Sequence, residues 1–194
     1  MNDVFHTLLQ PDPKGHVPLV DTTSWLHPTA QLIGNVRIGR DVLVCANAIL
    51  RADETAPDGS VSPVEIGPGG NVQDAVIVHA LAGSSVAVGA GVSLAHGCVV
   101  HGPCTVSDGC FVGFRAVVFK ADLGEGVMVS AGAVVQDVVV PAGLHVPPGA
   151  AVTTEADVAA LRKVTAEERA LLDAIAAENQ ELLAGYRRLF GPGG

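Results

Sequence analysis

Aromatic side chains are scarce in this 194-residue chain, at 4%, with one tryptophan and one tyrosine, although 48% of residues are hydrophobic. An ordinary core built on large Leu and Phe side chains is therefore excluded. The valines and alanines that remain suggest a narrow, repetitive interior. Positive charge is thin as well. Eleven Lys and Arg stand against 20 Asp and Glu, a net charge of −9, which argues against nucleic acid or an anionic membrane as partner. No apolar run approaches the ~20 residues a membrane span requires. The opening MNDVFHTLLQPDPKG has neither the basic n-region nor the apolar h-region of an export signal, so the cytoplasm is the expected location. The four cysteines, Cys45, Cys98, Cys104 and Cys110, are too few for a disulfide scaffold and show no CxxC zinc spacing.

A chain of this length buries a core easily and reads as one domain with an appendage. Residues 1–26, with Pro11, Pro13 and Pro18, read as an extended lead-in, in which Trp25 is expected to cap the end of the core. From Leu32 a six-residue period begins. Aliphatic residues fall at Leu32, Ile38, Val44 and Leu50, with small or branched ones four places later at Val36, Val42 and Ala48. The phase continues through Ile66, Val72 and Val78, and through Val88, Leu94, Val100, Val106, Val112 and Val118. After single slips it resumes at Leu123, Val129 and Val135, and again at Val140, Val146 and Val152. Helical and plain strand periods do not fit this spacing. A hexapeptide period fits a parallel β-helix, a three-sided prism with three short strands in each coil of about eighteen residues. The predicted domain spans 27–153.

Cys98, Cys104 and Cys110 fill the small slot of consecutive hexads and read as buried hydrophobes; Cys45 falls outside it, with an open role. Residues 54–63 and 80–87 break the count and read as loops thrown out of a coil, where function tends to sit. Over 154–194 the composition turns to Ala, Leu and Glu. Thr165 with Glu168 makes a capping box, so a helix is predicted from 166. Its stripe is Leu172, Ile175, Asn179, Leu182 and Tyr186.

Three of the seven histidines, His79, His96 and His101, lie within one 23-residue stretch. Three histidines with one open position form the zinc arrangement that makes hydroxide from water. His79 follows Val78 and His101 follows Val100, so both occupy the same hexad position. Their separation of 22 residues is one coil plus a short insertion near 80–87. They belong on one face of adjacent coils, about 4.8 Å apart, with Arg51 one coil below. His96 sits two positions after Leu94 on the preceding face, with Gln73 expected one coil beneath it. A neighbouring subunit brings His96 to the other two more readily than the same chain does, as in a three-fold packing of prisms.

The stretches RADE at 51–54, NVQD at 71–74, VHA at 78–80, SLAHGCVVHGP at 93–103 and VGFRAVVFKADLG at 112–124 resemble the γ-class carbonic anhydrases. The pattern Asn179, Leu182, Gly185 and Tyr186 resembles that family's C-terminal helix, and the likeness is to the archaeal and carboxysome-associated branches. The resemblance implies a homotrimeric left-handed β-helix with the helix packed on it. It implies His79, His96 and His101 as ligands of Zn2+, with Fe2+ or Co2+ as alternative ions. It assigns Gln73 to orient the attacking oxygen, Asn179 to position substrate or product, and Glu54 to handle protons. The resemblance further implies that Arg51 pairs with Asp74 across the subunit boundary, with Asp53 in the same network, and that Phe114 and Phe119 line the pocket above His96 and His101. One departure concerns the loop after His79, which is long and acidic in the archaeal enzyme. Here Ala80–Ser85 carries no acid, which bears on proton export and speed.

The implied reaction is reversible hydration of CO2 to bicarbonate and a proton at subunit interfaces. A hexapeptide acyltransferase or thioesterase, with a lone catalytic histidine and an acyl groove between subunits, is the enzymatic alternative. A catalytically silent metal-binding scaffold within a larger complex, such as a carboxysome, is the third reading, favoured by the short 80–87 loop.

Overall fold

The computed structural model describes residues 8–191. Strands of two to four residues alternate with tight corners and stack into three parallel sheets, each strand pairing one coil further along the chain. The first sheet holds Leu9–Gln10, Gln31–Gly34, Ile49–Ala52, Ile77–His79, Val99–His101, Val117–Phe119, Val134–Gln136 and Ala151–Val152. The second runs from Leu19–Val20 through Val36–Ile38, Val64–Ile66, Val86–Val88, Cys104–Val106 and Asp122–Leu123 to Val139–Val140. The third runs from Trp25–Leu26 through Leu43–Val44, Asn71–Val72, Ser93–Leu94, Phe111–Val112 and Met128–Val129 to Leu144–Val146. This is the β-solenoid that the six-residue period predicts.

The period works because alternate side chains of a strand face opposite ways. Leu50, Val78, Val100 and Val118 are in register and fully buried, so like stacks on like along the prism axis. Burial of each contributes about 1.5–3 kcal/mol. Cys98, Cys104 and Cys110 are buried in the small slot, and burial pushes the Cys98 thiol up to about 12 and that of Cys110 to about 11. Thiols with so little thiolate at neutral pH are inert.

The lead-in expected over 1–26 is a coil of the solenoid from Leu9 onward. Leu9–Gln10, Leu19–Val20 and Trp25–Leu26 each enter a different sheet, and Leu9 registers with Leu32. The period is obscured there by an inserted turn. Asp12 accepts from the backbone N–H groups of Lys14 and His16 and pairs with His16 Nδ1 at 2.7 Å, which adds residues without advancing the coil.

After a short helix, Glu155–Ala159, the strand Arg162–Lys163 pairs antiparallel with the third sheet at Leu144 and His145. The long helix Ala166–Phe190 then begins with Thr165 and Glu168 capping one another. It lies along the outer face of the third sheet, over Trp25, Leu43, Ala95 and Phe111. Leu172, Asn179 and Leu183 are its buried residues. Leu182, placed in that stripe by the sequence, is 52% exposed. At 100° per residue, Leu183 falls closer to the line through Leu172 and Asn179 than Leu182 does. Trp25 is pinned under the helix, stacked on Tyr186 with ring centroids 4.0 Å apart, rather than capping the end of the interior.

A polar chain, buried at its Ser130–His145 end and exposed at Arg162, fastens the start of the helix. Ser130 Oγ lies 2.7 Å from His145 Nε2, His145 Nδ1 lies 3.1 Å from Glu168 Oε1, and Arg162 donates to Glu168 at 2.9 Å.

Candidate metal centre

Registration of the first sheet places Arg51, His79, His101 and Phe119 in one outward-facing column. Val78 and Val100 point inward, so the histidines that follow them must point out. His79 Nδ1 lies 3.1 Å from His101 Nε2 and the rings meet edge to face, with centroids 4.9 Å apart. The Phe119 ring stands edge to face with His101 at 5.2 Å. Among the described residues, His79 Nε2 is buried without a hydrogen-bond partner, the nearest acid being Glu54 Oε1 at 3.4 Å. Burial, followed by the charges of Arg51 and His101, holds the His79 imidazole below its ordinary value, against a smaller opposing pull from Glu54 and Asp53. A neutral imidazole with an orphaned nitrogen is the form that ligates metal. This donor pair therefore fits an imidazole-bound ion.

Glu54 is held in place by the short loop. The backbone N–H of Ala82 donates to Glu54 Oε2 at 3.1 Å. That contact gives the acid-free stretch 80–85 a role its residue types did not reveal.

His96 leaves the third sheet at the next corner, where it stacks on Phe114 with centroids 5.6 Å apart. The Leu94–Val72 pair carries Ala95 onto Gln73 and His96 onto Asp74. Gln73 thus lies one coil beneath Ala95, not beneath His96 as the hexad count had it, and Asp74 Oδ2 is 3.2 Å from His96 Nδ1. Counting from Leu94 fixed the face but missed by one residue. Arg51 binds both oxygens of Asp53 at 3.1 Å, so within the chain its partner is Asp53 and not Asp74.

Gln73 lies on the outer face of the third sheet, 7% exposed. Its Nε2 donates to Asn71 Oδ1 at 3.2 Å, Asn71 Nδ2 donates to Ser93 Oγ at 2.7 Å, and Gln73 Oε1 is left buried without a partner. Asn71 and Ser93 escaped the sequence reading. Their signal was the 22-residue separation they share with His79 and His101, in the position just before the inward Val72 and Leu94. Cys45 follows Val44 beneath Gln73, and burial with the Asp74 charge pushes its thiol up to about 11. Asn179 is buried on the overlying helix, where its Nδ2 donates to the Ile175 carbonyl at 2.8 Å.

The chain thus builds two partial sites at opposite edges of the first sheet. His79, His101 and Glu54 stand at one edge, and His96 with Gln73 near the other. Among the described residues, no three His, Cys, Asp or Glu side chains gather to hold a metal. Between the edges runs an outward column of Ile49, Ile77, Val99 and Val117. A broad groove of about 920 Å³ on the second sheet, lined by residues such as Arg37, Glu65 and Ser107, contains none of the histidines. No helix among the described residues is long and apolar enough to cross a membrane.

No protein-family profile matches the chain. Its sequence is 36% identical over 177 residues to the carboxysome assembly protein CcmM of Nostoc sp., covering 86% of the chain and 31% of that protein. It is 35% identical over 173 residues to the carbonic anhydrase of Methanosarcina thermophila, covering 79% of the chain and 68% of that enzyme. The mitochondrial gamma carbonic anhydrase 1 of Arabidopsis thaliana is 36% identical over 135 residues, 65% of the chain and 46% of the relative. The chain spans less than a third of the carboxysome assembly proteins of Nostoc and Synechococcus elongatus, 31% and 29%. Among solved structures, a hexapeptide transferase family protein from Anaplasma phagocytophilum superposes with a TM-score of 0.76 at 28% identity, covering 92% of this chain and 98% of the other. With a β-solenoid, paired histidines in register and this similarity to carbonic anhydrases of archaeal and plant origin, the chain belongs to the γ-class carbonic anhydrase family.

Proposed function

We propose that the chain assembles as a homotrimer and catalyses the reversible hydration of CO2 to bicarbonate and a proton, with Zn2+ held by His79 and His101 of one copy and His96 of the next. The observation that carries this reading is the pairing of His79 with His101 around an orphaned, buried nitrogen, while His96 faces out from the opposite edge of the same sheet. The aliphatic column between those edges supports self-association, since an apolar strip on an exposed sheet face favours burial. Zinc held by three imidazoles lowers the pKa of a water to about 7; Fe2+ and Co2+ suit the same donors.

The residues around the ligands divide the remaining work. Phe114 and Phe119 give the pocket an apolar wall for CO2. Gln73 offers its unpaired Oε1 to orient the attacking oxygen, and Asn179 sits on the helix above the same sheet to receive the product. Glu54, fixed by the Ala82 N–H, takes up a proton and passes it to solvent. Arg51, Asp53 and Asp74 lie at the two edges that meet, where an Arg51–Asp74 pair across the boundary supports the trimer.

Stopped-flow CO2 hydration by metal-reconstituted protein, compared with His101→Ala, tests the enzyme reading. A large loss of rate in the variant is the expected result, and equal rates sink it. The relatives named as carboxysome assembly proteins favour a second reading, a metal-binding scaffold placed in such a compartment rather than free in the cytoplasm. That reading requires the wild-type protein to bind zinc yet hydrate CO2 no faster than buffer. The acyltransferase alternative requires acyl transfer without metal.

A further inference from the structure

Of the three faces of the prism, the third lies under the long helix and the first carries the histidine edges. The second is open, with a groove of about 920 Å³ and with Leu19 and Val139 at its two ends 65% and 66% exposed. The floor of the groove has a backbone cause. Ile38, Ile66, Val88 and Val106 are in register and buried, so the residues that follow them, Gly39, Gly67, Gly89 and Ser107, face outward. A Cβ at Gly67 would stand 2.5 Å from the Gly89 carbonyl carbon, and one at Gly39 would stand 3.0 Å from the Ile66 oxygen. Coil stacking demands these glycines, and the strip they leave bare is the groove.

Charge is placed unevenly around the strip. Asp21 stands at its foot, because Val20 registers with Ile38, and Asp108 and Glu125 line its upper rim. Among the described residues, Arg37 is the one cation in the lining, and it is paired with Glu65 at 2.8 Å. Arg169, across the corner from the upper rim, is committed to the carbonyls of Gly109 and Gly126. Arg40 follows Gly39 near the foot, about three coil steps, or roughly 14 Å, below Asp108. One oxygen of Asp108 accepts from the Ala90 N–H at 2.8 Å, a neutral donor that leaves the charge in place.

These charges decide what fits. A nucleotide or another phosphorylated ligand is repelled. The bare floor has no deep pocket for a large apolar anchor. A narrow, extended, cationic chain suits it, since Lys and Arg lay their stems along a surface and carry their heads to carboxylates. Asp21, Gly39, Gly67, Gly89 and Ser107 are successive coil steps, which sets the ends of the strip about 19 Å apart. An extended chain rises about 3.3 Å per residue and covers that distance in about six residues.

We propose that this groove is the docking site for an extended segment of a partner protein, with Lys or Arg at two places about six residues apart, one set against Asp21 and the other against Asp108 and Glu125. The surface is independent of the metal centre and of the face that carries it.

Fluorescence anisotropy with the full chain at low salt tests this, using two dye-labelled peptides of equal charge. One is Arg-Lys-Ala-Ser-Ala-Ser-Arg-Lys and the other is its isomer with all four cations at one end. Exposed ion pairs are individually weak, so the comparison between peptides carries the test. Wild type is expected to bind the first peptide at least fivefold more tightly than the isomer. Glu125→Lys should weaken that binding at least fivefold, as should Ser107→Phe, which fills the strip without changing charge. Glu167→Lys, an equal change of charge in the first turn of the long helix, should weaken it less than twofold. Equal affinity for the two peptides would overturn the proposal. So would equal weakening by Glu125→Lys and Glu167→Lys with Ser107→Phe unchanged, which is the behaviour of a general acidic surface.

Discussion

His79 and His101 stand one above the other with Nδ1 and Nε2 3.1 Å apart, while His96 leaves the intervening coil at a different corner, against Asp74. The separation is enforced by the backbone, because the two corners flank the whole width of the first sheet. A centre shared between copies has a signature that no single-chain centre shows. Coexpressed His79→Ala and His96→Ala chains, each inactive alone, should regain activity together. Random mixing in a closed ring leaves about a quarter of the interfaces with all three ligands. Recovery on the order of a quarter of the wild-type rate is expected in stopped-flow hydration, and no recovery would place all three ligands in one chain.

Gln73 and Ser93 belong to one hydrogen-bonded ladder and should fail in different ways. Removing Ser93 Oγ strands the buried Asn71 amide, and an unsatisfied buried donor costs about 1–3 kcal/mol. Ser93→Ala is expected to lower the denaturation midpoint with that penalty. Gln73→Ala gives up one 3.2 Å bond to Asn71 and removes an oxygen that has no partner among the described residues. It strands the buried Asn71 Oδ1 acceptor, so stability should fall by a comparable amount, about 1–3 kcal/mol. Its kcat/KM should fall roughly 10- to 100-fold as well, as expected of a group that orients the reacting oxygen at a metal, whereas Ser93→Ala should leave kcat/KM nearly unchanged. A stability loss at Gln73 equal to that at Ser93, with unchanged kcat/KM, would assign Gln73 to structure alone.

Glu54 is the acid nearest the paired histidines, and its carboxylate is aimed by Ala82. Glu54→Gln keeps the shape and removes the proton acceptor. The expected outcome is a fall in kcat of at least about 10² at low buffer, with kcat/KM for CO2 much less affected and partial rescue by added imidazole. Rates independent of buffer in both proteins would place proton export elsewhere, for instance on an acid of the 54–63 loop.

Much of this was legible in the residues because the solenoid repeats its instructions. The column Arg51, His79, His101 and Phe119 follows from placing each residue after an inward aliphatic one, and the prism geometry does the rest. The errors arose where a local contact shifts the count. Asp12 folds an inserted turn into the first coil, so the period is invisible there although the strands exist. Gln73 was placed one residue off because a strand of two residues offers little to count from. The clasp of Ala82 on Glu54 was unreadable for a different reason: a backbone N–H is common to every residue type. The same is true of the carbonyls that steer the helix through Arg169 and Gln180, and of the tertiary meeting of Ser130, His145 and Glu168.

That last meeting predicts how stability responds to acid. His145 is 6% exposed and is held between Ser130 Oγ on one side and Glu168 on the other. Burial is the largest influence on it and lowers its pKa; Glu168 opposes this and Arg162 adds to it. Glu168 itself is drawn down to about 2 by the Arg162 guanidinium and the Thr165 N–H, so it remains a carboxylate through the whole range of histidine titration. The folded chain therefore keeps His145 neutral below the pH at which the unfolded chain, near 6.5, takes up a proton. Stability from this site is complete above about pH 6.5, falls as pH drops toward the folded value, and levels once the folded imidazole is charged too. Thermal melts from pH 8 to 5 should show the wild type losing Tm more steeply through this window than His145→Gln, whose amide keeps a partner for Ser130 without a titration. Every other histidine is common to both proteins and cancels in the comparison. Parallel pH profiles would mean that His145 carries no net linkage to folding.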